Sequence, residues 1–271
     1  MAKDNDYVLG THDEEIQRLG LQHRVWRPRA LDAWRRAGFT VGQTLMDVGC
    51  GPGYASLDLA GIVGPAGHII ACDRSRRFLD ALEAARGHLG LDNITTYELD
   101  LNETALPASG LDGAWCRWVF AFVKNPRSLL SRVTAAIRPG GVAVFHEYFN
   151  YASWRFTPRS PELEEFVQVA MKSWRADGGE PDIGLDLPVW LRELGFEIDT
   201  LKPIVDVVPA TNFVWQWPIT FVEVALHRLV DLKHLTPERS HAISRALADA
   251  TADPRTLMVT PAVLEIIAHK R

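Results

Sequence analysis

Three glycines, Gly49, Gly51 and Gly53, stand at alternate positions directly after the apolar run "TLMDV", within the stretch "MDVGCGPGYAS". Glycines at such a strand-to-helix turn let the backbone approach a ligand closely, and the helix that follows points its N-terminal amides at the same place. A phosphate-cradling loop is excluded, because no Lys-Ser/Thr pair follows the turn. A dinucleotide fingerprint is disfavoured, because Tyr54 occupies the place of its third glycine. Asp73 closes the next apolar run, "HIIACD", where a carboxylate can accept hydrogen bonds from both hydroxyls of a ribose. Asp100 closes the run after it, in "YELDLNE". Three strand ends therefore converge on one nucleoside-sized ligand.

A second set of residues could do the reacting. "FHEYFNY" supplies His146 and Glu147 near the place where the crevice should open. Imidazole titrates near neutrality, which makes His146 the expected general base, with a structural or substrate-orienting role as the alternative. Glu147, also a catalytic candidate, is one step along the strand and should face the other side of the sheet, so the two do not share one role. Arg117, in "WCRWVF", can bind a substrate carboxylate through its planar fork or pair with an acid such as Glu147; the residues themselves favour the pairing. Aromatics are concentrated after the glycine turn, among them Trp118, Phe122, Tyr148, Trp174, Trp215 and Trp217. Most should be core or lid packing, and a subset should line a pocket for a flat or apolar acceptor, or enclose a cationic amine.

These residues need a scaffold that brings strand ends together. Short apolar or β-branched runs alternate with helical patterns over residues 44–150, the signature of a parallel sheet covered by helices. The spacing predicts strands over 44–48, 68–72, 94–99, 113–118 and 141–148, and helices over 54–63, 75–90 and 125–137. "RPGG" at 138–141 marks the turn from the last of these helices into a strand. Residues 1–40 read as a helical cap that breaks at Pro28, and 41–150 as the cofactor-binding core. Residues 151–250 read as remaining sheet and helical substrate lid, interrupted by "ADGGEPDIG" and "TNFVWQWPIT", and 251–271 as a closing strand. "GFEIDTLKPIVDVV" and "AVLEIIAHK" should be two further strands completing the far side of the sheet. The expected fold is α/β: a doubly wound, mostly parallel seven-stranded sheet in one domain, binding its ligand beyond the carboxyl ends of the strands.

Composition narrows the function. The chain has 271 residues, 47% hydrophobic and 23% charged, with a formal net charge of -5, the balance of a soluble protein with a substantial core and no electrostatic reason to bind nucleic acid. Cys50, Cys72 and Cys116 are widely separated and form no CxxC pair, so neither a metal site nor a disulfide framework is expected. The first residues lack a signal peptide's apolar core and no window is long and apolar enough to span a membrane, which gives a cytoplasmic expectation without a membrane partner.

Taken together, residues 44–150 resemble the core of the class I S-adenosylmethionine-dependent methyltransferases, densely there and loosely afterwards. In that family the pattern (D/E)xGxGxG holds the methionine end of the cofactor, and it reads here as Asp47, Gly49, Gly51 and Gly53. The family's ribose-binding acid matches Asp73, with Arg74 beside it; its adenine-side acid matches Asp100, with Leu101 beside it; and its fourth-strand end matches "WCRWVF", which adds Arg117 to the cofactor-binding candidates. "IRPGG" is similar to the family's LxPGG turn. The N-terminal "YVLGTHDEEIQRLGLQHRVW" is similar to a segment that covers the cofactor in small-molecule methyltransferases, and implies that Tyr7, Gln22 and Arg24 touch its methionine end. The resemblance implies S-adenosylmethionine as cofactor, its demethylated product S-adenosylhomocysteine, and methyl transfer to O or N of a small, apolar or aromatic metabolite, with a homodimer left open. Carbon or sulfur methylation and non-catalytic cofactor binding stay as alternatives. A nicotinamide oxidoreductase is opposed by Tyr54.

Overall fold

The computed structural model describes residues 13–271. β1 (Thr44–Val48) lies parallel between β2 (His68–Asp73) and β4 (Leu111–Arg117). β3 (Ile94–Glu98) extends the sheet beyond β2, and β5 (Ile137–Asn150) extends it beyond β4, both in parallel. β10 (Ala262–Lys270) then runs antiparallel between β5 and β7 (Phe196–Ile204), giving seven strands in the order β3-β2-β1-β4-β5-β10-β7. β1, β2 and most of β4 are buried throughout, as expected of strands covered on both faces. The covering helices include α2 (Tyr54–Val63), α3 (Arg76–Leu89), α4 (Pro126–Ala136) and α6 (Leu187–Glu193). Strand order reverses between β1 and β4, and the crevice of a doubly wound sheet forms at such a reversal.

Local chemistry explains the element ends. Ser75 caps α3 by accepting from the Phe78 amide, and left-handed Gly90 ends it. Pro126 opens α4, where its missing N–H costs nothing. α2 has no side-chain cap at its N-terminus.

A second layer lies over the strand ends. It is built from α1 (Asp13–Arg36), α5 (Pro161–Ala176), α7 (Gln216–Asp231) and α8 (Pro237–Ala252), with a small antiparallel sheet of β6 (Arg155–Thr157), β9 (Leu257–Val259) and β8 (Val207–Pro209). Its core joins Trp26, Trp154, Trp174, Trp215 and Trp217 to Trp118 and Tyr148 from the main sheet. No helix among the described residues is long and apolar enough to cross a membrane.

Three expectations change. α1 does not break at Pro28, which sits inside it on the solvent side, while buried Trp26, Ala30, Ala33 and Trp34 hold the turns on either side to the core. Pro28 has no N–H to donate to the Arg24 carbonyl, but on this exposed side water can do so, and packing outweighs the local cost. The segment 195–208 is not one strand: β7 joins the large sheet and β8 the small one. The lid is also not purely helical, since three short strands, too brief to show a period, tie its helices together.

Candidate active site

A cavity of about 180 Å³ opens at the carboxyl ends of β1, β2 and β4, and its wall continues from the glycine turn to the aromatic layer. At the turn, Gly49 has φ 69°, and a Cβ there would lie 2.3 Å from a Val119 methyl carbon. Only glycine satisfies both the left-handed backbone and that approach. The turn is then fixed by the acid on the neighbouring strand: Asp73 accepts the Gly51 amide on Oδ2 and the Ser75 amide on Oδ1, each at 2.9 Å. Burial raises the Asp73 pKa, opposed by those amides. Asp73 also faces the cavity, so each oxygen keeps a lone pair for a ribose hydroxyl.

Asp47 lies at the end of β1, where Ser56 donates to it at 2.6 Å. Burial pushes its pKa up to about 6, with Ser56 opposing. Beyond β3, Asp100 accepts the Asn102 amide at 2.8 Å and shapes a turn that carries Leu101 and Asn102 into the cavity wall. A ribose acceptor, an apolar rim beside it and the open backbone of Gly51 fit a nucleoside bearing a short polar chain.

The other end of the cavity is aromatic. Trp118, Phe122, Tyr148, Trp174 and Phe221 line it, and Trp118 lies near-parallel to both Tyr148 and Trp217, its ring centroid 5.4 Å from each, while those two rings are 6.4 Å apart. Trp118 holds φ 55°, a conformation rare for a bulky residue. Glu147 pins the turn that carries it, its Oε1 accepting from the amides of Val119 at 2.8 Å and Phe120 at 2.9 Å. Arg117 separates the two ends. Its guanidinium lies 5.8 Å from the Trp115 ring and 5.1 Å from that of Trp118. Nη2 donates to His23 Nδ1 at 3.2 Å, and His23 Nε2 in turn meets Asp58 at 3.0 Å. Burial lowers the Arg117 pKa to about 10.

The site residues expected from sequence divide into groups. Gln22, Asp47, Gly49, Gly51, Asp73, Arg74, Asp100, Leu101 and Arg117 all line the cavity. Tyr7 lies outside the described residues. Arg24 is exposed on α1, away from the lining. Gly53 also stands off it: with φ 82° and a Cβ position 2.3 Å from Leu82, it serves the packing of α2 on α3.

His146 and Glu147 are not among the lining residues, and both are fully buried. His146 bonds Glu265 at 3.1 Å, between the edges of Trp26 and Trp115, and burial lowers its pKa against the pull of Glu265. Glu147 faces the opposite side of the sheet, as alternation requires, and pairs with backbone amides rather than Arg117. Sequence reasoning missed Arg18 and Phe221 on the cavity wall and His23 behind Arg117, and it named Trp174 only as one of many aromatics. The spacing of Glu15, Arg18 and Gln22 on one helical face was a usable signal, since Arg18 donates to both of the others. Nothing in sequence brings Phe221 of α7 to β4.

Comparison with known proteins gives a consistent picture. A family profile described as a methyltransferase domain matches residues 45–141. A 2-phytyl-1,4-naphtoquinone methyltransferase of a Nostoc species is 30% identical over 216 residues, covering 73% of this chain and 91% of that protein. Its counterpart in Nostoc punctiforme is 28% identical over 56% of this chain and 63% of its own length. An uncharacterised 37.1 kDa protein of a Streptomyces fradiae transposon is 28% identical over 61% of this chain and 47% of its own length. The matches to the latter two thus span less than two thirds of either relative. Among solved structures, a geranyl diphosphate C-methyltransferase of Streptomyces coelicolor is 14% identical, with TM-score 0.57 over 92% of this chain and 80% of that one. The [4+2]-cyclase SpnF is 19% identical, with TM-score 0.56 over 90% and 80%. At these identities the likeness is one of fold alone.

Proposed function

The chain belongs to the class I S-adenosylmethionine-dependent methyltransferases, and we propose that it transfers the cofactor's methyl group to O or N of a small, flat, apolar or aromatic acceptor. The observation that carries this reading is the continuity of one cavity from the Asp73 and glycine-turn end to the wall formed by Trp118, Phe122, Tyr148, Trp174 and Phe221. The naphthoquinone substrates in the names of the relatives fit the same shape and chemistry.

When bound, the cofactor supplies an electrophilic methyl on a sulfonium centre, so the hard chemistry is its own. Asp73 would hold the ribose, Leu101 and Asn102 the base, and Asp47 with the turn from Gly49 to Gly51 the methionine end. The protein's remaining task is alignment and exclusion of water. The aromatic wall supplies both, because stacked rings fix the plane of a flat acceptor while contributing apolar area. Neither expected base reaches the cavity, which favours acceptors that need no deprotonation there, such as neutral amines and acidic hydroxyls. A second reading, cofactor binding without methyl transfer, rests on His146 and Glu147 both standing off the cavity.

Calorimetric titration with S-adenosylmethionine and S-adenosylhomocysteine tests the first step, and a metabolite screen for a cofactor-dependent gain of one methyl tests the second. Binding with a methylated product is expected. Binding without product across aromatic amines and hydroxyls would favour the second reading, and no binding would overturn both.

A further inference from the structure

We propose that Arg117 anchors an anionic oxygen of the acceptor, which makes this a site for aromatic oxides or carboxylates rather than for neutral or cationic rings. The inference rests on the methyltransferase reading above and narrows its substrate class.

A guanidinium removed from water needs a counter-ion or a full set of acceptors. Three other shielded arginines have one: Arg18 pairs with Glu15, Arg29 with Asp206, and Arg36 with Asp32 and Glu265. Arg117 makes no ion pair with any described residue. Its Nη2 meets a neutral acceptor, His23, and its Nη1 is buried without a partner. Its cross-strand neighbour His146 lies beside it on the same face, but the carboxylate there, Glu265, is taken by His146 and Arg36.

The surroundings keep this charge in place and offset it only in part: Asp47 and Asp58 act on it through space without contacting it. Asp58 accepts from His23 Nε2, which leaves the Nδ1 lone pair to receive Arg117. A ring that receives Arg117 on Nδ1 is the neutral form, and burial lowers the His23 pKa, with Asp58 opposing. The rings of Trp115 and Trp118 both lie within 6 Å of the guanidinium, at 5.8 and 5.1 Å, and Trp118 is itself part of the aromatic wall. The result is a fixed cation at the cavity surface, next to the rings that would stack on an aromatic acceptor. An oxide or carboxylate in the plane of such an acceptor would complete the donor fork.

The anion has a second potential source, the carboxylate on the methionine end of the cofactor, and the test separates them. Protein loaded with S-adenosylhomocysteine is titrated calorimetrically with 2-hydroxy-1,4-naphthoquinone, an anion at neutral pH, and with its neutral methyl ether. The wild type should prefer the anion at least tenfold. Arg117→Met should abolish the preference, Arg117→Lys should keep part of it, and both should bind S-adenosylhomocysteine within about twofold of wild type, which also shows that they fold. A tenfold or greater loss of S-adenosylhomocysteine affinity in Arg117→Met would assign the guanidinium to the cofactor and overturn the proposal. Equal binding of the two probes, or binding of neither, to the loaded wild type would overturn it as well. Failure of the wild type to bind S-adenosylhomocysteine would instead refute the methyltransferase reading and take the proposal with it.

Discussion

Replacing Glu147 by glutamine should stabilise the protein at alkaline pH and change it little at acidic pH. The carboxyl is fully buried on the face of β5 away from the cavity; Oε1 accepts two backbone amides, and Oε2 has no partner. Burial raises its pKa from 4.5 to about 7, against the opposing pull of the Phe120, Val119 and Ala121 amides. A carboxyl whose folded pKa is raised favours the folded state below its unfolded pKa and loses that contribution as pH rises through the folded value. Between pH 5 and 8.5 this shift corresponds to a loss of about 2.5 kcal/mol. Glutamine keeps an oxygen for the Val119 and Phe120 amides but cannot ionise, so the variant escapes the loss. Urea denaturation of both proteins at the two pH values measures it, because every other titrating group cancels in the difference. The expected result is a relative gain for Glu147→Gln of about 2.5 kcal/mol on going from pH 5 to 8.5. Glu147→Leu, by contrast, should be destabilised at both pH values by about 2 kcal/mol or more, since two buried amides lose their acceptor. A glutamine variant that tracks the wild type across pH, or falls behind it at pH 8.5, would refute the account of Glu147 as a buried, partly protonated brace for the Trp118 turn.

Three further outcomes follow from the site. Asp73→Ala should weaken S-adenosylmethionine binding by about 2 kcal/mol, roughly thirtyfold, and Asp73→Asn by less; unchanged affinity in calorimetry would mean that the ribose lies elsewhere. His146→Gln should lower the melting temperature, because it disturbs a buried pair with Glu265, while kcat of the folded fraction stays within about threefold of wild type. A drop in kcat near a hundredfold without loss of stability would return His146 to the catalytic role expected from sequence. Gly53→Ala should cost about 1–3 kcal/mol in chemical denaturation through its left-handed backbone and the clash with Leu82, and a neutral effect would contradict the packing role given to it.

Much of this protein is written locally. The parallel core was legible because each crossover unit carries its own period and punctuation: β1 and α2 have the bounds predicted from spacing, β2 and β3 differ by a residue at one end, and α3 by a residue at each end. The cofactor end was legible for the same reason. Asp47, Gly49, Gly51 and Asp73 lie at strand ends that a right-handed fold must bring together, so type and position suffice.

The acceptor end was decided by tertiary structure. Alternation along β5 correctly separated His146 from Glu147, but it could not say that α1 and β10 would enclose His146 with Trp26, Trp115 and Glu265. Nor could any local pattern leave Arg117 without a carboxylate, because that depends on Glu265 being taken two strands away and on His23 arriving from α1. Burial and partnership are set by long-range packing, and they fix whether a side chain's charge, hydrogen bonds and proton are available for chemistry. The sequence by itself thus determined which ligand the sheet would hold, and only the folded arrangement decided which groups face the aromatic end of the cavity.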